Sequence, residues 1–115
     1  MVKNFGQLSS GETAHLYSLM TDMLRICVTD FGGTLVSVEV KDKSGEFVDI
    51  TLGYDDVAGY ENDNDCFGFN IGRNANRISN AQFTLNNIKY VLAKNDGENN
   101  LHSGPHLFSK RMWHV

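Results

Sequence analysis

Proline is nearly missing from this chain, at one residue in 115, and cysteine and tryptophan are scarce at two and one. A single proline leaves no material for polyproline segments or stiff linkers. Cys27 and Cys66 make neither a disulfide framework nor a Cys-x-x-Cys metal motif, and are expected to be reduced packing residues. Basic charge is short too, with 10 Lys and Arg against 14 Asp and Glu and a net charge of −4. That balance argues against a non-specific nucleic-acid grip and against a polybasic membrane contact. No apolar run approaches the ~18 residues of a membrane span, and "MVKNFGQLSSGETA" has no signal-like apolar stretch. The expectation is a cytoplasmic protein. Hydrophobic residues at 41% suffice for one domain, residues 1–115, with a modest core.

What is present is alternation. Leu24, Ile26 and Val28 share one phase, as do Val36, Val38 and Val40, and then Val48, Ile50 and Leu52. "DFGGT" separates the first two runs, and "KDKSGEF" places a turn at Ser44-Gly45 before the third. "QFTLNNIKYVL" reads as a hairpin about Asn86-Asn87, because asparagine tolerates positive φ. "HLYSLMTDML" fits a helix by its apolar spacing and fits two strands joined at Thr21-Asp22. Strands are preferred, since successive elements usually pair and the neighbours are strand-like. "GYDDVAGYENDNDCFGFN" and "AKNDGENNLHSGPHLF" have the Gly, Asn and Asp density of loops. The fold class expected is all-β and antiparallel, with long loops that carry binding groups.

Most candidate motifs fail on inspection. Counting a calcium loop from Asp63 puts Phe67 at an oxygen position and Asn74 where a bidentate glutamate belongs. His102 and His106 are four apart, but Gly104 and Pro105 break the helix such a metal pair would need. No dinucleotide, Walker, Gly-x-Ser-x-Gly or Cys-His signature occurs. "IGRNANRISN" stands out, with two arginines and three asparagines in ten residues of an acidic chain. One reading is a polar connection whose arginines pair with surface carboxylates. The other is recognition of a neutral polyol, which rewards directional hydrogen bonding over net charge. Arginine supplies a fixed fork of donors, asparagine both donors and acceptors, and histidine a group that can do either.

The order of segments supplies a further lead. "CVTDFGGTLVSVEVKDKSGEFVDITLGYDDVAGY", which contains the landmark "TLGYDD", is followed by the landmarks "GRNANRI" and "NNLHSG" with a later Phe, Lys and Trp. From about Gly11 to Trp113 the chain resembles the N-terminal portion of the aldose 1-epimerase (galactose mutarotase) family. The resemblance implies part of a large antiparallel β-sandwich with an open sugar cleft. It implies interconversion of the α and β anomers of aldohexoses such as galactose or glucose, an isomerase activity without a cofactor. Asn76, Arg77 and His102 match sugar-binding positions, and Arg73 matches as scaffold.

The same resemblance limits what this chain carries. Family members are several times longer, and their acid histidine and base glutamate come from beyond the position of Trp113. His102 with a carboxylate such as Glu98 is the remaining auxiliary candidate. "HSGPH" also departs from the family's commoner second glycine after "HG". A truncated sandwich is expected to leave sheet edges unpaired and apolar faces uncovered. Three readings follow: a mutarotase fragment, a non-catalytic carbohydrate-binding module, or one chain of a split assembly that pairs with a complementary chain or with itself. The partner expected in the first two is an aldohexose, with no nucleic acid and no membrane.

Overall fold

A computed structural model describes the whole chain, Met1–Val115. It divides into two compact units, Met1–Asn70 with Ser109–Val115, and Ile71–Phe108. In the first unit five antiparallel strands follow one another as a meander: β1 (Val2–Gln7), β2 (Thr13–Met20), β3 (Leu24–Thr29), β4 (Leu35–Lys41) and β5 (Phe47–Asp49). The ambiguous "HLYSLMTDML" is thus strand, turn and strand. The Thr21 hydroxyl accepts the main-chain N–H groups of Met23 and Leu24 and so builds the corner locally. Alternation also named β4 correctly. It missed β1, whose "VKNFGQ" buries only Phe5 and carries a bulge between Asn4 and Gly6.

The third alternating run stops early as a strand. β5 ends at Asp49 because that side chain captures the N–H groups of Val38 and Thr51 together with the Thr51 hydroxyl. Ile50 and Leu52, past the end of the ladder, are exposed. The preceding turn follows the expected plan, with Gly45 at φ 90° and Asp42 bonded to Ser44 and Glu46.

"GYDDVAGYEN", read as a loop, contains a short helix, α1 (Val57–Asn62). Asp56 caps it by accepting the Gly59 N–H, and its two buried residues, Val57 and Tyr60, are three apart. Those two join Phe5, Leu8, Ala14, Leu16 and Phe31 in the core. Tyr54 meets the Tyr60 ring edge-on at 5.1 Å between centroids. At the helix C-terminus the Lys110 ammonium donates to the carbonyls of Tyr60, Glu61 and Asp63 at 2.8, 2.9 and 3.0 Å. Three carbonyls that the helix cannot satisfy itself therefore take one cation.

The opposite face of the sheet is apolar and largely open. Residues paired directly across antiparallel strands share a face, so Tyr17 lies beside Val28, Leu19 beside Ile26, and Ile26 beside Val38. Leu19 and Val48 are exposed, and Ile26, Val28 and Val38 are half-buried. A groove of about 370 Å³ on this face includes Tyr17, Leu19, Val28 and Trp113. Uncovered apolar surface was expected from the sequence, and the sheet has it. Cys27 and Cys66 are free thiols. No helix is long and apolar enough to cross a membrane.

The second unit contains two small ladders. β6 (Arg77–Ile78) pairs with β9 (Asn100–Leu101), and the hairpin of β7 (Gln82–Leu85) and β8 (Ile88–Val91) lies between them in sequence. Asn86 and Asn87 turn the hairpin at φ 51° and 61°, as expected of a two-residue turn needing positive φ. Phe83 stacks on Tyr90 across the strands at 5.0 Å.

Candidate functional site

The three residues singled out by sequence, Asn76, Arg77 and His102, come together in the Ile71–Phe108 unit. They do so because β6 and β9 pair antiparallel, setting Arg77 opposite Leu101 and Ile78 opposite Asn100. Beyond the two strands the pairing continues in a mixed form. The His102 N–H donates to the Asn76 carbonyl at 3.1 Å, and the Asn76 N–H donates to the His102 ring at Nδ1, 3.0 Å away. One step further out, Ser103 Oγ accepts the Asn74 N–H at 2.8 Å and donates to the Asn74 carbonyl at 3.2 Å.

This lacing needs an unusual backbone. Asn76, His102 and Ser103 sit at φ 63°, 55° and 60°, in the left-handed region that side-chain-bearing residues rarely occupy. Asn76 is the tolerant type, and its Oδ1 accepts the N–H of Arg77. His102 and Ser103 are held in that region by the bonds to residues 74 and 76. Ser103 thus keeps a glycine-like conformation and adds a hydroxyl clamp.

Arg77 is oriented by a group that sequence reading did not select. Its Nε lies 2.6 Å from Asp96 Oδ2, with the two side chains 55% and 34% exposed. Asp96 is presented by a tight turn in which its carbonyl accepts the Asn99 N–H at 2.9 Å, with Gly97 at φ 58°. The fork is thus aimed while its charge is balanced locally. "NDG" announces a turn, but nothing local shows that its aspartate reaches an arginine nineteen positions away.

Much of the asparagine content is architectural. The Asn95 side chain accepts the Leu101 N–H and donates to the Leu101 carbonyl, standing in for a strand neighbour. Asn100 is buried and donates to the carbonyls of Ala93 and Gly104. Asn99 accepts the Asn80 N–H. These bonds shape the loops that hold the three candidates, while the polar residues of "RNANRISN" itself, Arg73, Asn74, Asn76, Arg77, Ser79 and Asn80, are all exposed. Arg73 stacks over Phe108, 5.6 Å from the ring centroid. Glu98 pairs with Lys94 one helical turn's spacing away, and no bond joins it to His102. No group of three or more His, Cys, Asp or Glu side chains is placed to hold a metal ion.

Chemically the cluster offers an oriented guanidinium, an exposed carboxamide and a half-buried imidazole on two laced segments. That set can grip a neutral, oxygen-rich ligand through directed donors without a strong net field.

Known proteins of this kind are similar over almost the whole chain. Bovine galactose mutarotase is 41% identical over 110 residues, 95% of this chain and 32% of the bovine protein. The human galactose mutarotase is 39% identical over the same span, and the aldose 1-epimerase of Streptococcus thermophilus 33% identical over 108 residues. Among solved structures, an aldose epimerase homologue from C. elegans superposes with a TM-score of 0.81 at 31% identity, covering 89% of this chain and 32% of that one. Galactose 1-epimerase from Lactobacillus acidophilus superposes equally well over 98% of this chain at 23% identity, a likeness that bears on the fold alone. The fold is therefore galactose mutarotase-like, and the chain spans about a third of the length of these relatives. Residues 15–115 match the family described as aldose 1-epimerase, and the chain belongs to that family.

Proposed function

We propose that this chain contributes the sugar-gripping part of an aldose 1-epimerase, and that Asn76, Arg77 and His102 contact an aldohexose such as galactose or glucose. The observation that supports this best is the convergence of those three residues on the laced β6 and β9 segments, with Arg77 aimed by Asp96. The N-terminal portion of a single mutarotase-like domain and a cytoplasmic setting belong to the same reading.

The reaction in question is redox-neutral. A base removes the proton of the anomeric hydroxyl while an acid delivers one to the ring oxygen, and the bond between C1 and the ring oxygen breaks. The aldehyde so formed turns about the C1–C2 bond and recloses by the reverse transfers. The residues placed here would hold the sugar through its oxygens during that turn. The acid and base would come from a part of the fold that the relatives' additional length supplies.

Polarimetry of freshly dissolved α-galactose tests the activity, and saturation-transfer NMR with galactose tests the grip. A rate above the buffer background supports a mutarotase. Binding without a rate gain assigns the chain a carbohydrate-binding role alone. The absence of both binding and rate gain overturns the sugar reading.

A further inference from the structure

Resting on the sugar reading for its ligand, though not for its geometry, the inference concerns which nitrogen of His102 carries hydrogen. A main-chain N–H can only donate. The Asn76 N–H points at Nδ1 at 3.0 Å, so Nδ1 must present its lone pair there. A neutral imidazole has one N–H, and it must then be on Nε2. Turning the ring over would replace Nδ1 with a carbon-bound hydrogen and orphan the Asn76 donor. The ring is further fixed from below, since the His102 N–H returns to the Asn76 carbonyl and Ser103 clamps both polar groups of Asn74.

We propose that the Asn76 main-chain amide is a positioning group that locks His102 as the Nε2–H tautomer, so that His102 serves the site as a neutral hydrogen-bond donor and not as a base. Its matching ligand group is an oxygen lone pair of a polyol, either a ring ether oxygen or a hydroxyl oxygen. The contrast with His15 shows that the assignment is local. There Nδ1 lies 3.0 Å from the buried Asp30 carboxylate, an acceptor, which calls for the hydrogen on Nδ1 instead. Nδ1 thus accepts in one ring and donates in the other, as the partner of each requires.

Long-range proton–nitrogen NMR of the 15N-histidine-labelled chain tests this at neutral pH, with the His102→Asn variant assigning the His102 signals by their loss. A pyridine-type Nδ1 with a pyrrole-type Nε2 is expected at His102. The reverse pattern, or averaged shifts of two exchanging tautomers, would overturn the proposal.

The second arm separates the lock from the donor. In His102→Asn the new Oδ1 can still accept the Asn76 N–H, but no outward ring N–H remains. In His102→Ala both are gone. Hydrogen exchange at the Asn76 amide should accelerate in the alanine variant and stay near the unmodified rate in the asparagine variant. Galactose affinity should fall about tenfold in both, the scale of one lost donor. Unimpaired galactose binding by His102→Asn would overturn the donor role. No galactose response from the unmodified chain would overturn the sugar reading and leave the tautomer result standing.

Discussion

Arg77 Nε and Asp96 Oδ2 stand 2.6 Å apart, each half-exposed, so that a turn at the end of one loop aims the guanidinium of a two-residue strand. An exposed pair of this kind contributes little to stability, about 1 kcal/mol or less. Its effect is on direction. Arg77→Ala is expected to leave the melting temperature within a few degrees while weakening galactose binding about tenfold or more. Asp96→Asn should weaken binding less, because the fork persists with looser aim. Calorimetric titration beside a thermal scan reads both, and an Arg77→Ala protein that binds normally would remove Arg77 from the site.

Ser103 offers a sharper test of the lacing. Ser103→Ala keeps the left-handed φ of 60° and loses both bonds to Asn74. The expected cost is about 1 kcal/mol. Ser103→Gly loses the same bonds but relieves the backbone strain, so it should be the more stable of the two by about 0.5–1 kcal/mol. Urea denaturation followed by the tryptophan and tyrosine signals measures the order. The reverse order would mean that the hydroxyl clamp and the backbone conformation are not linked as described.

Lys110 is expected to matter more for stability than any surface lysine. Burial pushes its ammonium below the ordinary lysine range, while Asp63 pulls in the opposite direction. Lys110→Met keeps the stem and strands the three carbonyls at the end of α1. A loss of about 2–3 kcal/mol follows, the scale of a charged hydrogen-bond group removed from partly buried partners. Its measure is the urea midpoint, and a change below the scatter of surface substitutions would show that water replaces the ammonium freely.

Acid stability depends on Asp63. Burial alone would raise its pKa, but the Asp65 N–H, the Tyr54 hydroxyl and the Phe67 N–H outweigh burial and hold it below the usual carboxylate value. A folded-state pKa below the unfolded one means stabilisation that is complete above the unfolded value, about 3.9, and is lost as pH falls through the folded value. Asp42, through Ser44, and Glu61, through Ser9, shift the same way. The melting temperature should therefore fall steeply below about pH 4, and Asp63→Asn should flatten part of that fall while lowering stability at neutral pH. A pH profile with the same slope in the variant would assign the acid transition to the other carboxylates.

Local chemistry determined the parts of this protein that its own neighbours in sequence can hold. Alternation marked β3 and β4, Asn86-Asn87 turned the hairpin, and Thr21 set the corner that resolves "HLYSLMTDML" into strands. The family landmarks are also contiguous strings, which is why membership was legible before any coordinates. What tertiary structure alone decided is where bonds span long intervals. Six residues of α1 are too few for a helical period to show, and the helix stands on core contacts and on Lys110, some fifty residues away. The site itself is of this second kind. Asn74 and Asn76 meet Ser103 and His102 across more than twenty residues, and Arg77 meets Asp96, because two two-residue strands happen to pair. No local propensity encodes such a ladder. It forms because the buried Asn100, the Asn95 side chain and the left-handed turns together satisfy main-chain groups that water would otherwise have to serve.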